Sequence, residues 1–185
     1  YDMPGLTDLF NLTYNNGTYG GFYQLNLPDS VRIHGSYHQA DGFIATGSLK
    51  YMPGATLTYT TVFATTNTGD REFPAINGPT NLNVNGPLQL HASRKIPGIL
   101  TLDAPLNTGV NTITMDTLGT VVQTSGFVDG NLAKLIPLSA DTITYYELGT
   151  ASGGYSEAGI HVFNNTVPAF VTAGGSVCII SSRSL

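Results

Sequence analysis

Two of the four histidines, His34 and His38, lie four residues apart in the sequence. Histidines at this spacing on a helix can bind one zinc ion, because both imidazoles then project from the same face. The preceding residues 31–33, Val-Arg-Ile, favour a strand instead, on which four residues span about 13 Å. That separation is too large for both side chains to bind one ion. The sequence therefore predicts no metal site and no bound cofactor.

The residues Gly154, Ser156 and Ala158 come close to the Gly-x-Ser-x-Gly nucleophile elbow, with alanine in place of the second glycine. In that motif a strand, a sharp turn and a helix expose the serine. Here a strand-like segment, residues 160–163, follows, so we expect a turn without a nucleophile. Cys178, the single cysteine, lies in an apolar run and is expected to be a small buried hydrophobic residue.

The acidic residues give no specific signal. A pair of carboxylates for glycoside hydrolysis could be drawn from several of them, but the chain has no tryptophan to hold a sugar. Asp70 and Glu72 could supply oxygens to a calcium ion, yet their spacing does not match an EF-hand loop. The prediction is a non-enzymatic protein. A hydrolase in which His34 or His161 meets a carboxylate in a cleft is kept as an alternative.

Tyrosine is abundant, with ten residues, and several tyrosines stand beside glycine, asparagine or serine. A tyrosine ring offers rigid contact area and a hydroxyl group, which suits protein interfaces and sugar binding. We therefore predict binding roles for Tyr14, Tyr19, Tyr23 and Tyr155. The alternative is that strand tyrosines pack with their hydroxyls at the rim of the core.

The charge and the apolar runs of the chain argue against nucleic-acid binding and against a membrane-spanning helix. Seven basic and twelve acidic residues give a net charge of -5 over 185 residues, which disfavours nucleic-acid binding. The longest apolar runs cover only a few residues, far fewer than the roughly 20 of a membrane-spanning helix. Neither nucleic acid nor a membrane span is expected.

Short apolar alternations separated by turn signals such as Asn-Gly, Asp-Gly and Pro-Gly run through the chain. The clearest is residues 56–63, Thr-Leu-Thr-Tyr-Thr-Thr-Val-Phe. This pattern predicts an all-β fold, an antiparallel β-sandwich of jelly-roll type with at most one or two short helical turns. The best helix candidate is residues 126–135. Residues 77–122 show a rhythm that stacked β-rungs could produce, but its unequal periods favour a run of hairpins.

No segment is linker-like enough to divide the chain. We predict one β-sandwich domain over residues 15–185, preceded by an extending or exchanged N-terminal arm over residues 1–14. Leu6, Phe10 and Leu12 are its apolar assembly residues, and the arm would join a neighbouring copy by strand addition. Deleting residues 1–14 should then yield monomers.

A low-charge β protein rich in threonine, asparagine and glycine is typical of virion-surface domains, fibre tips and extracellular filament subunits. Few charges mean small desolvation penalties when subunits associate. The expected function is a structural, homo-oligomeric subunit of a virion surface, such as a capsid, protruding or spike domain, or of another extracellular assembly. The alternatives are a lectin-like module that binds a host receptor or glycan in adhesion, and a pilus-like filament subunit. Asn11, Asn16 and Asn164 lie in sequons, so a glycoprotein is a further expectation.

Overall fold

The computed structural model describes residue 5 and residues 7–15, 24–40, 42–60, 65–138 and 141–174. These residues form strands and turns, with no helix among them. Consequently the described part of the chain contains no helix that could cross a membrane. The strands are β1 (Asp8–Tyr14), β2 (Gln24–Asn26), β3 (Val31–Gln39), β4 (Phe43–Thr46), β5 (Leu49–Tyr51), β6 (Thr56–Tyr59), β7 (Thr66–Asn67), β8 (Asn81–Val84), β9 (Leu88–Gln89), β10 (Arg94–Ile96), β11 (Ile99–Leu102), β12 (Leu106–Met115), β13 (Thr120–Gln123), β14 (Val128–Ile136), β15 (Thr142–Thr150), β16 (Gly154–Val162) and β17 (Ala169–Gly174).

Parallel pairing between successive turns of the chain makes the fold a β-solenoid of about six turns. One sheet has the order β1-β3-β6-β8-β11-β13, with β5 also paired to β3. A second has the order β16-β15-β14-β12-β9-β7, with β10 on β12 and β17 on β14, and β2 pairs with β4. Turns can carry three short strands, as β9, β10 and β11 do. In the next turn, the long strand β12 pairs with both β9 and β10, and β13 pairs with β11.

Inward-facing apolar residues stack on one another from turn to turn. Leu57 pairs with Leu82 and Leu82 with Leu100, and all three are fully buried. The alternation along each strand turns the neighbouring residues outwards, as Thr58, between buried Leu57 and Tyr59, illustrates. Burying one large apolar side chain contributes roughly 1.5–3 kcal/mol. The interior is thus a continuous column of apolar side chains held by in-register parallel strands.

The turn signals of the sequence form corners within a turn of the solenoid. Residues 53–54, Pro-Gly, lie between β5 and β6, and residues 97–98, also Pro-Gly, lie between β10 and β11. At the corner before β5, Gly47 has a φ of 72°, and a Cβ there would lie 2.1 Å from the carbonyl oxygen of Pro28. Such corners redirect the chain without reversing it, so the next strand continues around the same turn.

Antiparallel pairing is confined to the C-terminal part of the described chain. β15 and β16 form a hairpin, and β17 runs antiparallel to β14. Lys134 on β14 and Glu147 on β15 form an ion pair of 2.7 Å between largely buried side chains. The ammonium group of Lys134 also lies 5.7 Å from the centre of the Tyr146 ring. These contacts fix the hairpin to the last parallel turn.

The prediction of an antiparallel jelly-roll sandwich was therefore wrong, although the all-β class was correct. Alternation determines which residues face inwards but does not determine the partner of a strand. The rhythm of residues 77–122 is the solenoid repeat itself, and interpreting it as hairpins was also wrong. Its periods are unequal because the turns differ in length: 18 residues separate the paired Leu82 and Leu100, and 21 separate the paired Leu100 and Val121. The helix candidate at residues 126–135 lies largely in β14.

The first strand, β1, pairs in parallel with β3 of the same chain. Residues 8–14 thus extend the first sheet of the same chain. They lie within residues 1–14, for which the sequence predicts an extending or exchanged arm. Nothing in this pairing tests whether the strand exchanges between copies, and the boundary at residue 14 stays a prediction.

Replacing Leu82 by alanine should lower the free energy of unfolding by about 2–5 kcal/mol, because a cavity opens in the middle of the apolar column. Thr101→Ala, on the outer side of the next turn, should change it by less than about 0.5 kcal/mol. Urea unfolding followed by circular dichroism measures both. Equal losses in the two variants would contradict the assignment of inner and outer faces.

Candidate functional site

The loop between β7 and β8 meets His91 and Arg94 in a cluster of polar side chains. Asp70 accepts a hydrogen bond from Arg94 and lies 3.0 Å from the Nε2 atom of His91. The guanidinium group of Arg94 is buried, donates from Nε to the carbonyl oxygen of Phe73 at 2.7 Å, and lies 5.5 Å from the centre of the Phe73 ring. Arg94 therefore ties β10 to the loop of the preceding turn.

Within this cluster, Thr68, His91 and Asp70 are arranged like a nucleophile, a base and an orienting acid. The Oγ1 atom of Thr68 lies 2.7 Å from Nδ1 of His91. However, Thr68 is only 4% exposed, and its oxygen also accepts a hydrogen bond from the backbone nitrogen of His91 at 3.1 Å. A nucleophile has to reach its substrate. A buried hydroxyl engaged by the backbone instead anchors the chain where β9 ends.

Glu72 is a buried acid at the base of the same loop, with 5% of its surface exposed. Its carboxylate accepts hydrogen bonds from the backbone nitrogen of Gly69 and from the hydroxyl of Tyr59, the latter at 3.2 Å. Its backbone carbonyl accepts a hydrogen bond of 2.6 Å from the Tyr51 hydroxyl. Burial raises the pKa of Glu72 above its ordinary value, although hydrogen bonds to the carboxylate from its own backbone, from Gly69 and from Tyr59 oppose that shift.

The two acids that were weighed as calcium ligands thus have separate partners. Asp70 is engaged by Arg94 and His91, whereas Glu72 is engaged by Gly69 and Tyr59. In the described part of the chain, no three histidine, cysteine, aspartate or glutamate side chains are grouped so as to hold a metal ion. His34 and His38 both lie on β3.

Both histidines named in the hydrolase alternative do meet a carboxylate. His34 lies 2.9 Å from Asp8, which also forms a bidentate pair with Arg32, and His161 lies 3.0 Å from Asp141. The pKa of Asp8 is lowered, chiefly by the hydrogen bond from Arg32 and then by that from His34. Both pairs lie on the open surface, and no described serine, threonine or cysteine is hydrogen-bonded to either imidazole.

A groove of about 460 Å³ lies between the end of β5 and the chain that enters β8. Its walls are joined by a hydrogen bond of 2.8 Å from the backbone nitrogen of Tyr51 to the carbonyl oxygen of Asn77. Asn77 has a φ of 57°, a left-handed conformation that asparagine tolerates better than most residues. The side chains and backbone of Arg32, Lys50, Met52, Pro53, Asn77 and Thr80 line the groove.

Lys50 is the basic residue that distinguishes this groove. In the described ranges, each of the other lysines and arginines is paired with an acid or, for Arg71, donates to the carbonyl oxygen of Gly47. Lys50 is exposed on β5 and has neither kind of partner among those residues. Because Asp8 offsets the charge of Arg32, Lys50 supplies the uncompensated positive charge among the described residues that line the groove.

The hairpin of β15 and β16 and the residue after it carry several exposed apolar side chains. Ile143 and Tyr145 on β15 are 46% and 49% exposed, and they cover Gly159 on β16. Tyr155 and Phe163 are 42% and 65% exposed, and the Phe163 ring lies 5.6 Å from that of His161. Among the described strands, β16 pairs with β15 only, so no described strand occupies its other edge.

Two of the four tyrosines predicted to bind a partner are described, and they differ in environment. Tyr14 is 7% exposed, and Tyr155 is exposed and donates its hydroxyl to Glu157 at 3.1 Å. Tyr19 and Tyr23 lie outside the described residues. A binding role for any of them stays a prediction. Three other tyrosines, Tyr37, Tyr51 and Tyr59, are buried in the core, where burial is the main cause of their raised pKa values.

The residues predicted for assembly and for glycosylation also differ in their exposure and contacts. Phe10 is 71% exposed on β1, whereas Leu12 is half-buried. Asn11 is exposed and accepts hydrogen bonds of 2.9 Å from the backbone and hydroxyl of Ser36. Asn164 is exposed and has a φ of 56°. Leu6 and Asn16, like Cys178, fall outside the described residues, and none of these roles has been tested.

Sequence reasoning missed the groove and the Arg94 cluster. The alternation of Leu49, Lys50 and Tyr51 was a usable signal that Lys50 points outwards, and the structure places it so. Nothing in the sequence indicated that Asp70 would meet a residue 24 positions further along the chain. That contact depends on the length of one turn.

Glu72→Gln should change how stability depends on pH. The raised pKa means that the folded protein binds a proton more readily than the unfolded chain does. Glu72 therefore adds stability below its ordinary pKa of 4.5, and that contribution is lost as the pH rises through the raised value. Relative to the glutamine variant, the parent protein should lose stability as the pH increases from 4.5. Urea unfolding from pH 4 to 8 measures this, and parallel curves for the two proteins would contradict it.

Comparison of the chain with protein-family models, with curated proteins and with solved structures found no match. The candidate sites therefore rest on the geometry of this chain alone.

Proposed function

We propose that this protein is a rigid, non-enzymatic structural subunit of an extracellular or virion-surface assembly, and that it self-associates through the edge of β16 that β15 does not occupy. The single observation that carries the proposal is that the second edge of β16 has no described partner strand. The strand is nine residues long. Long uncovered strand edges readily pair with another chain.

The sequence of β16 is compatible with pairing to a second copy about a two-fold axis. In an antiparallel register centred on Ala158, Tyr155 lies opposite His161 of the second copy, and Glu157 lies opposite Gly159. No two like charges then stand directly opposite each other, which is the arrangement that destabilises strand pairs. Two hairpins joined in this way form one continuous sheet with an isologous interface.

The outer face of the hairpin supports the same proposal. The exposed apolar side chains described above would form one larger surface when two hairpins join, and few charges would be desolvated there. The parallel solenoid provides a stiff body on which such an interface keeps its geometry. Low overall charge, 10% of residues, is consistent with subunits that pack closely.

Sedimentation velocity of the full chain tests the proposal. The parent protein should form dimers or larger species at about 100 µM, in the micromolar affinity range typical of weak specific association. Tyr155→Lys with Phe163→Lys should leave monomers, because charged side chains at a strand edge oppose pairing.

The matched control is Val110→Lys with Leu118→Lys, which changes two exposed apolar residues, 96% and 88% exposed, away from the hairpin. The control should associate like the parent protein. A monomeric parent protein, or equal loss of association in both double variants, would overturn the proposal.

A further inference from the structure

We propose that the groove beside β5 binds an acidic saccharide, whose carboxylate or sulfate group contacts Lys50 and Arg32. The inference begins from charge. The protein is acidic, with a net charge of -5, and yet the described part of the groove contains two basic side chains and no acidic one. Asp8 lies outside the lining but pairs with Arg32 and offsets its charge, so the excess positive charge of the described lining is that of Lys50.

Lys50 is held in place to receive an anion. Its strand, β5, pairs with β3, so that Lys50 lies beside Arg32 in register. The neighbouring residues Leu49 and Tyr51 are buried, and their backbone nitrogens donate to the carbonyl oxygens of Arg71 and Asn77 at 2.7 and 2.8 Å. The backbone under Lys50 is thus fixed on both sides, while the exposed side chain of Lys50 has no acid partner among the described residues.

The rest of the lining matches a sugar better than a bare ion. Asn77 is exposed at the mouth of the groove, and its side-chain amide makes no hydrogen bond to another described residue. An amide of this kind can bind sugar hydroxyls as donor and acceptor. Met52 and Pro53 supply an apolar surface on which the carbon–hydrogen face of a pyranose ring can lie. The Lys50 cation, an amide with no described partner and an apolar patch together favour a sugar ring that carries both hydroxyl groups and one negative charge.

The shape of the groove also determines the size of ligand. Its volume of about 460 Å³ falls in the range of small-molecule sites, about 300–1,000 Å³. The groove is open on one side, so a longer saccharide can continue over the protein surface while one of its acidic sugar units occupies the groove. This inference is independent of the self-association through β16, because that strand contributes no residue to the groove.

Titration monitored by NMR, with the ¹⁵N-labelled full chain, tests the proposal. The probes are a galacturonate trisaccharide, a sulfated trisaccharide, the corresponding neutral trisaccharide and sodium sulfate. One or both acidic saccharides should shift the amide signals of the non-proline residues among 50–54 and 77–80 with saturation, and added salt should weaken the binding because exposed charges are screened. The two acidic probes distinguish a carboxylate ligand from a sulfate ligand.

Lys50→Gln should weaken the binding of the acidic saccharide roughly tenfold, which corresponds to about 1.4 kcal/mol. The matched control is Lys95→Gln, another exposed strand lysine, which is paired with Asp116 at 2.9 Å outside the groove. It should bind like the parent protein, and circular dichroism should show that both variants are folded.

Three results would overturn the proposal: no saturable shift with either acidic saccharide, equal binding of the neutral trisaccharide, or binding of sodium sulfate as tight as that of the saccharides. Equal weakening by Lys50→Gln and Lys95→Gln would also overturn it. That result would show a response to overall charge and not to the groove.

Discussion

In-register stacking of parallel turns is the constraint on which the rest of the structure depends. Strands of neighbouring turns lie about 4.8 Å apart, so each inward side chain contacts its counterpart in the next turn. Leu57, Leu82 and Leu100 form one such column, and all are fully buried. Because every turn uses its neighbours to bury its apolar side, the turns stabilise one another and none can shift by one residue without exposing its core residues.

The stack also explains where the polar sites occur. Turns can differ in length only at their corners and loops, and the long loop between β7 and β8 is where extra residues enter. There the chain leaves the regular path, buries Glu72 beneath the loop, and is held by Arg94 from the following turn. The same loop supplies Asn77 and Thr80 to the wall of the groove, while the regular strand β5 supplies Lys50. The candidate binding site thus combines one irregular element with one rigid element.

Part of this structure could be predicted from the sequence. The alternation of residues 56–63 correctly indicated a strand, in which Leu57 and Tyr59 are buried, and the near absence of helical periodicity correctly indicated an all-β fold. The architecture could not be deduced, because a Pro-Gly pair can begin a hairpin or form a corner of a turn, and residues 53–54 and 97–98 do the latter. Pairings such as Lys50 with Arg32 also depend on the length of each turn, and the lengths are unequal.

Disulfide formation between neighbouring turns tests the stacking most directly. In a chain with Cys178 replaced by serine, Thr58→Cys and Asn83→Cys place two cysteines at positions that pair in parallel on β6 and β8. Their expected Cα separation, about 4.8 Å, lies within the range of disulfides. Mass spectrometry after mild oxidation should show that this pair forms an intramolecular disulfide, whereas Thr58→Cys with Thr101→Cys, two turns apart, should not. Ready formation of the second disulfide and failure of the first would contradict the account.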